Sequence, residues 1–224
     1  MPFTTELYLT QKNRWPSQGR QILARFDHEA VVVYQAYKPS IGHFAARHGY
    51  FGGEFSRGRM TWIKPNFLWM MYRSGWGTKE NQEVTLAVHL RRDAFDEILA
   101  RAVPSSYDPG VYADEASWKA AVSGSDVRLQ WDPDHGPSGN PLPRRAIQLG
   151  LRGDVLARYV KDWLLHVEDV SDFVREQRAN LKAPYDRLVT PSEDVYPVGD
   201  PEVRARLGLE DAGDTPTGEE MITA

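Results

Sequence analysis

From Phe55 to Lys79 the chain carries no acidic residue, yet it holds five bases, Arg57, Arg59, Lys64, Arg73 and Lys79. Interleaved with them are Trp62, Phe67, Trp69, Tyr72 and Trp76. Cationic side chains hold phosphate by charge and by forked hydrogen bonds, and aromatic faces stack on nucleobases for roughly 1–3 kcal/mol each. Arg59, Lys64 and Arg73 are therefore candidate phosphate ligands, and Trp62, Trp69 and Trp76 are candidate base-stacking faces. A competing account makes Phe67, Leu68, Met70 and Met71 core residues, with aromatic rings packed and arginine stems lying along them.

A second stretch, QWDPDHGPSGNPLPRRAIQ from Gln130 to Gln148, displays Asp132, Asp134, His135, Asn140, Arg144 and Arg145. Histidine exchanges a proton near neutral pH, so His135 is a candidate acid or base, with Asp134 beside it and Gln148 as an orienting amide. Arg144 and Arg145 join the candidate anion ligands. The plainer account is an Asp-capped turn with solvated charges. The D-x-D-H run lacks a second histidine or carboxylate at helical spacing, so no metal site is assigned. Gln35 and Tyr37, in AVVVYQAY, complete the candidate ligand set, because a buried amide must find partners or forfeit about 1–3 kcal/mol.

The elements that must position these groups are short. AVVVYQAY (30–37) reads as a buried strand ended by Pro39, residues 40–48 as a short helix, and YFGGEFSRG as a loop. Met60–Lys64 is extended, since residues before proline avoid the α region. Asn66–Ser74 is a helix that is apolar nearly all round, with Gly75 placed for a left-handed C-cap. Strands follow at 84–90, 127–131 and 145–151, and helices at 92–102 and 114–122. DPDHGPSGNPLP, with four prolines and two glycines, reads as an irregular loop. Residues 154–180 follow the helical period, with a break near Ser171.

The 224 residues suit one domain, and 41% hydrophobic content excludes disorder over most of the length. Without cysteine, disulfides, thiolate metal sites and cysteine nucleophiles are excluded. The net charge of −4 is concentrated at the end: residues 200–224 hold seven acids against Arg204 and Arg206, leaving 1–199 with twenty-five bases and twenty-four acids. The expected organisation is a single compact α+β domain over 1–199, with short mixed strands, flanking helices and a long C-terminal helical segment. An acidic, largely mobile tail is expected over 200–224, with a short helix at 201–207 and little effect of its removal on stability. No apolar run reaches the roughly 18 residues of a membrane span, and the N-terminus lacks a signal-peptide core, so a soluble cytoplasmic protein is expected.

The runs VVVYQAY, RMTWIKPNFLWMMYRSGWG, VRLQWDPDHGP and RRAIQLGLRG together resemble the bacterial and fungal family known as domain of unknown function 4291, over about residues 20–178. That resemblance implies no particular reaction. The site style is also similar to that of ADP-ribosyltransferases, compact α+β domains that bind NAD without a glycine-rich fingerprint, although no E-x-E or Q-x-E pair is evident. The expected function is a nucleotide- or nucleic-acid-directed enzyme, a transferase or hydrolase, with NAD as candidate cofactor. Two alternatives stand beside it: a non-catalytic RNA- or DNA-binding module, and a protein-interaction domain without a ligand pocket.

Overall fold

A computed structural model describes residues 3–210. In chain order its elements are β1 (Thr5–Leu7), α1 (Tyr8–Lys12), β2 (Gly19–Arg20), β3 (Leu23–Phe26), β4 (Ala30–Tyr37), α2 (Pro39–His48), β5 (Thr61–Ile63), α3 (Phe67–Ser74), β6 (Val84–Arg91) and α4 (Arg92–Arg101). They continue with β7 (Ala102–Pro104), α5 (Glu115–Gly124), β8 (Val127–His135), β9 (Pro141–Leu151), α6 (Gly153–Tyr159), β10 (Leu164–Asp169), α7 (Ser171–Ala179), β11 (Val189–Pro191), β12 (Asp194–Val195) and α8 (Pro201–Leu207). The fold is α+β. Among the described residues, no helix is long and apolar enough to cross a membrane.

One large sheet has the order β10-β6-β4-β3-β12, a second has β2-β9-β8-β7 with β5 pairing β9, and β1 pairs β11 in a small two-stranded sheet. At the centre of the first sheet, β4 and β6 run antiparallel from Ala30 opposite Arg91 to Tyr37 opposite Val84. Their side chains alternate between two cores. Val31, Val33, Leu86, Val88 and Leu90 join Leu129, Ile147, Leu149 and Leu151 of the second sheet, whereas Val32, Tyr34 and Ala87 join Phe67, Leu68 and Met71 of α3. With both faces covered, β4 reads as a continuous apolar run instead of an alternating one.

α3 starts and stops on identifiable residues. The Asn66 side chain accepts from Trp69 N–H at 2.7 Å, and the Glu193 carboxyl accepts from Phe67 N–H at 2.7 Å and from Asn66 Nδ2 at 3.1 Å. Burial pushes the Glu193 carboxyl well above the usual carboxylate range. At the other end Gly75 adopts φ +58°, the left-handed conformation that glycine reaches without strain, and its N–H reaches back to Met71 and Tyr72 carbonyls.

Three sequence expectations are corrected. The expected long helical segment over 154–180 is interrupted by β10, which covers the edge of β6 from Leu164 opposite Leu90 to Asp169 opposite Leu86. Only Val167 of that strand is buried, so spacing alone could not separate strand from helix. The DPDHGPSGNPLP loop is instead the meeting point of β8 and β9. The two strands pair as far as His135 opposite Pro141, and the register shifts between Pro133 and His135, the kind of irregularity that accommodates proline.

The third correction concerns the boundary at 199. α8 belongs to the folded unit: Val203 and Leu207 lie in the core, Trp131 Nε1 donates to the Leu207 carbonyl at 2.9 Å, and Gln21 Nε2 donates to the Glu210 carbonyl at 2.5 Å. The expectation of a mobile tail falls otherwise on residues 211–224, outside the described residues. Leu207 is 1% exposed, so Leu207→Ala should destabilise by about 2 kcal/mol or more, read by chemical denaturation. A chain ended at Asp200 should melt below the full chain. An unchanged melting temperature would show that α8 is dispensable.

Candidate functional site

Where the two sheets meet, Tyr34 of β4 and Lys64, just after β5, form an antiparallel bridge: Tyr34 N–H donates to the Lys64 carbonyl at 2.7 Å and Lys64 N–H to the Tyr34 carbonyl at 3.3 Å. Pro65 follows directly, so the backbone at Lys64 is held on both sides. Beside this joint opens a cleft of about 640 Å3, lined by Gln35, Tyr37, Arg59, Thr61, Trp62, Lys64, Arg73 and Asn81 among others. Six residues singled out from sequence thus come together: Gln35, Tyr37, Arg59, Trp62, Lys64 and Arg73.

The cations differ in depth. Arg59 and Arg73 are exposed at the mouth, whereas Lys64 is 7% exposed. Neither guanidinium nor the Lys64 ammonium has a side-chain hydrogen bond or ion pair among the described residues. The exposed carboxylate Glu54 at the rim is bound to Lys38. Burial, reinforced by the nearby charge of Arg73, brings the Lys64 ammonium down to about 8 from its ordinary value near 10.5, against a smaller opposing pull from Asp132. Asp132 is itself held by Gln130 Nε2 at 2.8 Å and Gln148 Nε2 at 2.6 Å.

One wall of the cleft is a hydrogen-bond chain. Tyr159 OH donates to Gln35 Oε1 at 2.6 Å, and Gln35 Nε2 donates to Tyr37 OH at 2.7 Å and to the Trp62 carbonyl at 3.1 Å. Tyr37 OH lies 3.1 Å from Thr61 Oγ1. The Gln35 amide is thereby fully used, which makes it a structural anchor. Burial pushes the Tyr37 and Tyr159 phenols up, so both stay protonated and act as hydrogen-bonding groups, not bases. Trp62 is half-buried and lies against β9 at Gly150, where an added Cβ would come 3.1 Å from Trp62 Cη2 and 2.5 Å from Met60 Sδ. Glycine at 150 gives the indole its room.

The remaining candidates lie elsewhere. Asp134 is spent on Arg144: its Oδ2 accepts from Arg144 Nε at 2.8 Å, and both side chains are almost wholly buried. Arg144 is therefore no free anion ligand. His135 is buried in an aromatic stack, 3.5 Å from the Tyr72 ring centroid and 5.4 Å from that of Trp69, and it does not line the cleft. Trp69 is 4% exposed in that stack, and Trp76, 8% exposed, packs edge-on against Phe67 at 5.9 Å, so neither offers a face to a base. Arg145 is exposed beside a separate crevice with Gln21 and Asn66. Gln148 is engaged by Asp132 and is not among the cleft-lining residues. Among the described residues no group of three or more histidine or carboxylate side chains could hold a metal ion.

Sequence reasoning missed Thr61, Tyr159 and Asn81. Tyr159 meets Gln35 across 124 residues of chain, and no local signal marks that contact. Asn81 had a faint one, since asparagine tolerates the left-handed backbone it adopts here at φ +62°.

A sequence model for a family described as a domain of unknown function, DUF4291, matches residues 21–196. The chain belongs to this family. No curated protein sequence matches it. The DUF4291 match runs from just before β3 through β12, so the cleft, its hydrogen-bonded wall and the whole β10-β6-β4-β3-β12 sheet fall within it, while β2 of the second sheet and α8 lie beyond.

Proposed function

We propose that this DUF4291 protein binds a phosphorylated ligand of the nucleotide class in the cleft, with Arg59 and Arg73 holding phosphate at the mouth and Trp62 offering a face to the base. One observation carries the reading: Arg59, Lys64 and Arg73 converge on one cleft with no carboxylate bound to any of them. Of the other arginines, Arg14, Arg91, Arg101, Arg144 and Arg158 are ion-paired, whereas Arg47, Arg57, Arg145, Arg178 and Arg187 stand singly on the exposed surface, so the gathering of three cations in one concavity is what sets the cleft apart. Unpaired cations gathered in a concavity repel one another, and an anionic ligand relieves that repulsion. The volume is in the range of small-molecule sites, about 300–1,000 Å3, which favours a single nucleotide over an extended strand of nucleic acid.

NAD and ADP-ribose belong to this ligand class, and an enzyme that transfers or hydrolyses such a group is the finer form of the proposal. His135 and Asp134 have no part in it, because they stand outside the cleft. Thermal-shift measurements with NAD, ADP-ribose, ATP, GTP and short oligonucleotides, at two salt concentrations, test the reading. A mononucleotide at 100 times its dissociation constant should stabilise the protein by about 2.7 kcal/mol. Arg59→Gln with Arg73→Gln should remove that response while leaving the unliganded melting temperature near its original value, since neither guanidinium supports the fold. A salt-steep response to oligonucleotides alone would replace this reading with a nucleic-acid-binding module.

A further inference from the structure

Lys64 stands apart from the other lysines. The chain has seven, at positions 12, 38, 64, 79, 119, 161 and 182, and Lys64 alone is buried. Its ammonium meets no acceptor, its backbone is clamped by the bridge to Tyr34, and it lines the cleft beneath the exposed guanidiniums of Arg59 and Arg73. Its stem is buried while its nitrogen opens on the cleft, and a lysine that only supported the fold would satisfy that charge with a carboxylate or a carbonyl. Desolvation beside another cation is the condition under which a lysine amine becomes nucleophilic near neutral pH. The depressed value of about 8 agrees with that placement.

We propose that Lys64 is a reacting amine that forms an imine with a phosphorylated carbonyl compound, such as the open-chain aldehyde of a sugar phosphate or of a nucleotide with a free ribose end. This rests on the proposed phosphate site: phosphate at the mouth on Arg59 and Arg73 delivers the carbonyl carbon to the amine below. The neutral Nζ lone pair forms the C–N bond, and the carbonyl π pair moves to oxygen. That oxygen takes one proton from Nζ and one from solvent and leaves as water, while the nitrogen lone pair closes the C=N bond. The protonated imine keeps the positive charge at Nζ, where Asp132 favours it.

The test is reductive trapping on the full chain. The probe, pyridoxal 5′-phosphate, carries both an aldehyde and a phosphate; borohydride fixes the imine, and peptide mapping locates it. The expected result is modification at Lys64 ahead of the six more accessible lysines, at least tenfold weaker with pyridoxal, suppressed by inorganic phosphate, and absent in Lys64→Arg. Adducts confined to the exposed lysines, with nucleotide thermal shifts intact, would overturn the imine while leaving the phosphate site standing. Equal labelling of Lys64 by pyridoxal and its phosphate would overturn the phosphorylated substrate class. Loss of both the adduct and every nucleotide response would overturn the proposal together with the reading beneath it.

Discussion

Asp134→Ala should destabilise the protein by about 3–5 kcal/mol, the cost of removing one partner of a buried ion pair. Asp134 Oδ2 accepts from Arg144 Nε at 2.8 Å and Oδ1 accepts from His135 N–H at 2.8 Å, with the paired side chains 2% and 6% exposed. Truncating the acid leaves the Arg144 guanidinium buried with the Pro16 carbonyl, at 2.6 Å, the Trp15 ring, 5.4 Å away, and the more distant Glu193 carboxyl as its remaining partners. The loss comes mainly from that stranded charge, so adding Arg144→Met should recover most of it. Denaturant titration of the single and double variants checks this. A single variant within about 1 kcal/mol of the parent would mean that the pair is far better solvated than its burial indicates. The nucleotide response should survive in the double variant, since neither residue lines the cleft.

The same pair shows why part of the site could not be read from the sequence. Asp134, His135 and Arg144 have the residue types of an acid/base centre, but type does not reveal whether a charge is already engaged. Ten residues separate Asp134 from Arg144, across the turn where β8 meets β9, and that hairpin closes the ion pair. The prolines that suggested an irregular loop sit instead near a register shift and at the start of β9. By contrast, α3 was legible because its signals are local: an apolar stretch and Gly75 at the end, although Asn66, expected as its first residue, is instead its N-cap. β4 was legible because β-branched density marks a strand buried on both faces.

Within the cleft the division is similar. Arg59, Lys64 and Arg73 could be singled out because a 25-residue stretch without acids leaves its bases no local partner. Trp62 and Trp69 have the same chemistry in sequence, yet one lies against Gly150 at the cleft wall and the other is enclosed with Tyr72 and His135. That difference depends on which side of the β5–α3 corner each faces, a tertiary property. The β10 interruption has the same origin, because the edge of β6 dictates a strand that one buried valine cannot announce.

Lys64→Met should make the free protein more stable and at the same time remove its capacity for imine formation. Methionine keeps an unbranched stem in the same apolar surroundings and removes a charge that has no partner there. Lysine in the unfolded chain holds its proton up to about 10.5, whereas Lys64 in the fold gives it up near 8. The unfolded state therefore binds more protons between those values, and the native protein gains stability as pH rises through that window. Below pH 8 the full penalty is present, on the order of 3 kcal/mol at neutral pH from the size of the shift. The advantage of Lys64→Met should accordingly be about 3 kcal/mol at pH 7, roughly half that at pH 9.5, and gone above pH 10.5. Equilibrium unfolding of both proteins at pH 7 and pH 9.5 reads the difference directly, and an advantage equal at the two pH values would show that Lys64 carries an ordinary, solvated charge. A residue that weakens the fold it belongs to, and whose replacement strengthens it, is what a reactive amine held for a ligand should look like.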